Sequence, residues 1–171
     1  MDLRIHFDRP ATSIELEIED NSQCILSELG NKLKKVRIAE NGRWINIRVN
    51  SKTYQKPVKN QSGMPAIFGG TFDVRTYEGL PFEGRKHYLM NWIVETFRTS
   101  LDHFMSGSLD KETSTILDAF QKECSFSARF SGKWAQHSDT RARVVIYQRF
   151  NSADIHIESK KYRARTSVMS P

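Results

Sequence analysis

The stretch VRIAENGRWINIRV, residues 36–49, decides how the sheet of this chain is to be read. Asn41-Gly42 is the favoured pair for a two-residue type I′ turn, because both central residues of that turn need φ > 0. Folding the chain about it sets Glu40 opposite Arg43, Ile38 opposite Ile45 and Val36 opposite Ile47. Every apolar pair then falls on one face, so turn chemistry and hydrophobic pattern specify the same antiparallel register. The expectation is a β-hairpin.

Working back towards the N-terminus, Leu3, Ile5 and Phe7 alternate with polar residues, and so do Ile14, Leu16 and Ile18. Period two predicts two half-buried strands, joined through Pro10. Paired as a hairpin, they would set Arg4 and His6 against Glu15, Glu17 and Glu19, a partly neutralised acidic row. Ser22 is positioned to cap a short helix carrying Ile25, Leu29 and Leu33, weakened by Gly30.

Working forward, residues 50–84 hold Pro57, Pro65 and Pro81 among several glycines and read as a long loop with one strand at Thr71–Tyr77. Apolar residues at Leu89, Ile93, Phe97, Leu101 and Phe104 predict a core-facing helix from Arg85 to Met105. Gly107 ends it, and a second helix over Leu109–Cys124 completes a helical hairpin. Three strands follow, around Phe126–Trp134, Arg141–Phe150 and Ile155–Ile157. The fold class expected is α+β in a single domain over 1–171: a mainly antiparallel sheet of hairpins packed against a two-helix hairpin. Its segments are 1–50 (strand, short helix, hairpin), 50–84 (loop), 85–124 (helices) and 125–165 (basic strands).

Within the loop, Ile67-Phe68-Gly69-Gly70-Thr71-Phe72-Asp73 resembles the start of the nucleotidyltransferase motif of nicotinate-nucleotide and pantetheine-phosphate adenylyltransferases. That resemblance would imply a doubly wound parallel sheet and histidines placed to contact phosphates. The continuation here is Val74-Arg75-Thr76-Tyr77-Glu78, with no histidine before His87, so the charge-stabilising half of such a site is missing. The stretch reads instead as a Gly-Gly turn leading into an ordinary strand.

A chain of 171 residues with 38% apolar and 27% charged residues has the length and composition of a globular domain, not of a disordered or fibrous chain. Cys24 and Cys124 stand too far apart in sequence for a CxxC motif and are expected as buried free thiols. No two of the five histidines lie three or four residues apart, and no Gly-x-Ser-x-Gly elbow is present. Asp118 and Glu123 have no partner for paired-carboxylate work, and the stripe His87, Asn91, Glu95, Arg98, Asp102 reads as the wet side of a helix. No cofactor, metal or catalytic residue is therefore expected. Charges at Asp2, Arg4 and Asp8 interrupt any secretory leader, and Glu95, Arg98 and Asp102 break the most apolar helix, so the expected location is cytoplasmic with no membrane contact.

Charge is the informative property. Residues 1–50 hold eight basic and eight acidic side chains and residues 51–124 nine of each, whereas the last 47 hold nine basic against Asp139, Asp154 and Glu158, which supplies the whole +6. On the strand from Arg141 to Phe150, the face opposite Ala142, Val144 and Ile146 carries Arg141, Arg143, Val145, Tyr147 and Arg149. Arg129, Lys160, Lys161 and Arg163 extend it, and Phe72 and Tyr77 on the long loop are candidate aromatic anchors. The expectation is a non-catalytic binding protein of the immunity, antitoxin or adaptor type, which recognises an acidic protein and neutralises or escorts it. The alternative is an RNA- or DNA-binding module using the same cations and aromatic ring.

Overall fold

The computed structural model describes residues 2–33, 44–53, 66–104, 111–137 and 140–161. The elements in order are β1 (Asp2–Phe7), α1 (Ser13–Lys32), β2 (Trp44–Val49), β3 (Ala66–Gly70), α2 (Val74–Gly79), α3 (Phe82–Phe104), α4 (Lys111–Glu123), β4 (Ser127–Ser131), β5 (Ala135–His137), β6 (Thr140–Arg149) and β7 (Ser152–Lys161). The chain is mixed α and β, with two sheets of opposite character.

The N-terminal sheet is parallel, in the order β1-β2-β3. This corrects the expected hairpin. Ile45 pairs with Leu3 on one side and Ala66 on the other, and Ile47 with Ile5 and Phe68. Both edges of β2 are filled by parallel neighbours; residues 36–43, with the turn at Asn41-Gly42, lie outside the described residues. Two parallel neighbours need a long crossover, and α1 supplies it between β1 and β2.

The segment expected as a second strand is the first turns of α1. Thr12 and Glu15 form a capping box: Glu15 N–H donates to Thr12 Oγ1 at 3.4 Å and Thr12 N–H to Glu15 Oε2 at 2.7 Å. The three glutamates read as one acidic row serve three separate purposes. Glu15 caps, Glu17 meets Arg85 of α3 at 3.4 Å, and Glu19 is buried. Glu19 accepts the Phe7 N–H at 2.7 Å and both terminal nitrogens of Arg9, at 3.1 and 2.7 Å. Ser22 lies inside the helix, donating to the Glu19 carbonyl at 2.7 Å, and caps nothing.

Leu3, Ile5, Phe7, Ile45, Ile47 and Val49 form the buried face of the parallel sheet, against Ile18, Ile25 and Leu29 of α1 and Ile93 and Phe97 of α3. Where a strand was expected at Thr71–Tyr77, Asp73 caps α2 by accepting the Thr76 N–H and Oγ1–H at 3.0 and 2.6 Å. Phe72 and Tyr77 are buried: Phe72 meets Tyr88 and Trp92 edge to face, and Tyr77 meets Phe72 and Tyr88 at tilted angles. At the end of β3, Gly70 is needed for its size: a Cβ there would lie 2.9 Å from Trp92 Cζ2. The ring cannot withdraw without breaking its 2.7 Å bond from Nε1–H to the Thr71 carbonyl.

Helix α3 buries Leu89, Met90, Ile93, Val94 and Phe97, as its periodicity predicts, and α4 buries Thr113, Leu117 and Phe120. The two helices touch through Asn91–Gln121 (2.8 Å) and through Arg98 to Ser114 (3.3 Å) and Asp118 (2.8 Å).

The second sheet is antiparallel: β6 pairs with β7 along one edge and with β4 and β5 along the other. It is attached at one end. Phe126, Ala128 and Phe150 join the core, Gln148 Nε2–H donates to the Asp20 carbonyl at 2.8 Å, and Asn21 Oδ1 accepts the Asn151 N–H at 2.7 Å. Beyond that root, the face expected to point inward is open: Val144 is 47% exposed, Ile146 36%, Phe130 37%, Ile155 72% and Ile157 75%. Val145, expected outward, is fully buried.

Two substitutions test these supports. Glu19→Ala strands the buried Phe7 N–H and is expected to cost about 1–3 kcal/mol in urea unfolding. Gly70→Ala forces Trp92 aside and is expected to lower stability by about 1–3 kcal/mol in the same assay.

Candidate functional site

Strand alternation and register place Arg129, Arg141, Arg143, Tyr147 and Arg149 on one face of the antiparallel sheet together with Asp154, His156, Glu158 and Lys160. The site is thus built by three strands, with β6 as its middle row. Five cations share the face with two carboxylates, a net of +3.

These side chains are organised around Glu158. Its Oε1 accepts from Arg129 Nη2 at 2.7 Å, and its Oε2 from Arg143 Nε and Nη2 at 2.8 and 2.6 Å. Arg129 Nε–H also donates to the Tyr147 hydroxyl at 3.2 Å, with the guanidinium 5.7 Å from the ring centre. Arg143 lies 4.6 Å over the Trp134 ring and Lys160 5.3 Å from it, so Trp134 lies against two cations. Tyr147 and His156 meet edge to face at 5.1 Å, and Arg141 Nε–H donates to Gln136 Oε1 at 3.0 Å. The hydrogen bonds from Arg143 and then Arg129 hold the Glu158 carboxyl below its ordinary range, while those to Tyr147 and Glu158 raise Arg129.

The other candidates fare differently. Lys161 pairs with Thr140 at the end of β7, and Arg163 lies outside the described residues. Phe72 and Tyr77 have no surface to offer a partner, because the loop expected to display them is the cap and body of α2 and both rings complete the core. Arg149 stands at the root of the sheet beside a cleft of about 420 Å³ lined by Phe82, Lys86, Phe126 and Phe150. There Lys86 is held by Glu83 at 3.0 Å and lies 4.4 Å over the Phe82 ring, so its charge is already matched. Phe126 itself takes a φ of 53°, a sterically costly conformation for a bulky residue.

The glycine-rich stretch does end a parallel strand and precede a helix, the context that the hairpin reading denied it. The end of the helix where a phosphate would be received is occupied by the chain's own Asp73 carboxylate. Burial pushes the Cys24 thiol up to about 11 and the Cys124 thiol up to about 12, so neither is a thiolate nucleophile at neutral pH. Among the described residues no group of three or more His, Cys, Asp or Glu is placed to hold a metal ion, and no helix is long and apolar enough to cross a membrane.

No family model matches the chain, and neither a search of curated proteins nor a search of solved structures finds a similar one.

Sequence periodicity located the cationic face. It did not identify Glu158 as the carboxylate that joins two of the arginines, because only Arg143 stands directly opposite it and Arg129 reaches it diagonally from beyond β6, nor Trp134, which precedes β5 and belongs to no strand. The network gives a pH signature. A carboxyl whose folded pKa is depressed contributes stability above its unfolded value, and the contribution is lost as pH falls through the folded value. Wild type is therefore expected to melt above Glu158→Gln at pH values over about 4.5, the ordinary value for the group. The two melting temperatures should converge on further acidification, which thermal scans between neutral and strongly acidic pH will check.

Proposed function

We propose that this chain is a non-catalytic binding protein that recognises an acidic protein through the cationic face of its antiparallel sheet and neutralises or escorts it. The observation that carries this reading is the Glu158 bridge. It fixes Arg129 and Arg143 in place, and their hydrogen bonds to Glu158 and Tyr147 use two of the five N–H donors on each guanidinium. Cations held by their own neighbours lose little side-chain freedom when a partner carboxylate arrives. Complementary charge of this kind speeds encounter and fixes orientation more than it deepens affinity. The expected setting is cytoplasmic.

A second reading, RNA or DNA binding, draws on the interleaving of Arg129, Arg143 and Lys160 with Tyr147, His156 and Trp134. Bases stack on aromatic faces for about 1–3 kcal/mol each. Trp134 already lies against Arg143 and Lys160, and Tyr147 against Arg129 and His156, which leaves less ring surface for a base and favours the protein reading.

Titration with polyglutamate and with single-stranded RNA over a range of salt separates the two. In the protein reading polyglutamate binds, Arg143→Ala weakens it and Glu158→Gln, which removes one negative charge from the face, strengthens it. Preferential RNA binding whose log–log salt slope falls by about one in Arg143→Ala transfers the assignment to nucleic acid. Failure to bind either polyanion at modest salt overturns both.

A further inference from the structure

The opposite face of the same sheet is apolar and open. Register sets Phe130, Ile146 and Ile155 in one row and Val144 and Ile157 in the next, so five large side chains adjoin one another across three strands. All five are exposed, Ile155 and Ile157 by about three quarters. The positions next to the patch on that face, Ala142, Gln148, Ala153 and Ser159, carry no charge, and register also places Lys161, opposite Thr140, on it at the far end of β7. Among the described residues, α1 covers the face only at its root, around Ala128 and Gln148. Single exposed aliphatics need no explanation, but a contiguous charge-free patch of this size on an antiparallel sheet marks an association surface. Among the described residues, none of these five side chains joins the buried core.

We propose that this face is the seat of a homodimer, in which two copies pack their antiparallel sheets face to face about a twofold axis. The occupant is identified by charge. The chain carries +6, and five of its C-terminal cations, Arg129, Arg141, Arg143, Arg149 and Lys160, stand on the reverse side of this sheet, with Lys161 at the far end of the apolar side. A second copy is therefore a partner that meets the apolar patch without bringing those five charges towards their counterparts, since both cationic faces then point away from the junction. An acidic partner, by contrast, is drawn to the reverse side. A twofold contact needs a self-complementary surface, and an aliphatic patch uncharged at its centre meets that requirement without polar pairs that must be matched. Two such sheets pack about 10 Å apart with strands inclined by about 30°.

The available area sets the strength. Beyond its root the patch is three strands wide and about seven residues long, roughly 350 Å² as a flat sheet, so two copies bury on the order of 700 Å². That lies below the standard size of a specific interface, and the dimer is a weak one that dissociates on dilution. It would display two cationic faces on opposite sides, so that a partner with repeated acidic segments would be held at both.

Sedimentation velocity of the full chain over a wide concentration range tests the proposal. Wild type is expected to pass from monomer to dimer as concentration rises. The double variant Ile155→Lys/Ile157→Lys is expected to raise the dissociation constant by on the order of a hundredfold or more, the loss that unburying two isoleucines implies. Because both positions are exposed in the monomer, its circular dichroism and melting transition should be retained; if they are not, Ile155→Thr/Ile157→Thr, which keeps β-branching, takes its place. A wild type that stays monomeric at the highest attainable concentration, or a dimer that persists undiminished in the folded variant, overturns the proposal. Neither result bears on polyanion binding, which uses the other face.

Discussion

The whole arrangement hangs on α1 having partners on several sides at once. It crosses between two parallel strands, so one side must cover the parallel sheet with Ile18, Ile25 and Leu29. Its other sides receive the antiparallel sheet: Asn21 takes the turn after β6, the Asp20 carbonyl takes Gln148, and Glu28 takes the Ser125 N–H and hydroxyl at 3.0 and 2.7 Å. Polar atoms can enter this nearly enclosed helix because each has a fixed partner, and Glu19 is the extreme case, with three hydrogen bonds from Phe7 and Arg9.

That constraint explains which parts of the fold were legible from the amino-acid order. β1, α3, α4 and the positions of β4, β6 and β7 follow simple apolar periods and were legible; the short β5 and the partners of β1 were not. α1 was misread because Ile14-Glu15-Leu16-Glu17-Ile18-Glu19 alternates perfectly, and alternation presumes that glutamates face water. Here Glu19 is buried and Leu16 is exposed, the reverse of the rule. The corrective signal was present in Thr12-x-x-Glu15, a helix-start pattern of short range. At β2 the Asn-Gly turn outweighed what the neighbouring strands demanded: the pairing of Ile45 and Ile47 is decided by Leu3, Ile5 and β3, residues remote in sequence.

The candidate site was legible as charge and illegible as geometry. Counting cations by segment located the surface, and period two put Arg141, Arg143, Tyr147 and Arg149 together. Which face meets water is a question of tertiary placement, and there the expectation inverted for Val144, Ile146 and Val145. Among the described residues the sheet is rooted at one end, around Phe126, Ala128 and Phe150, and covering one end does not oblige the rest of its apolar side to be covered.

The root also has a mechanical meaning. Asn21 accepts from Asn151 and donates to the Tyr77 hydroxyl at 3.4 Å, so a single amide joins the base of the long β6–β7 ribbon to the helix that fills the molecule's centre. A ribbon clamped at its base acts as a lever. Load applied near Lys160 and Arg141 is concentrated at Asn21 and Phe150, and whatever grips the tip pulls directly on the middle of the protein.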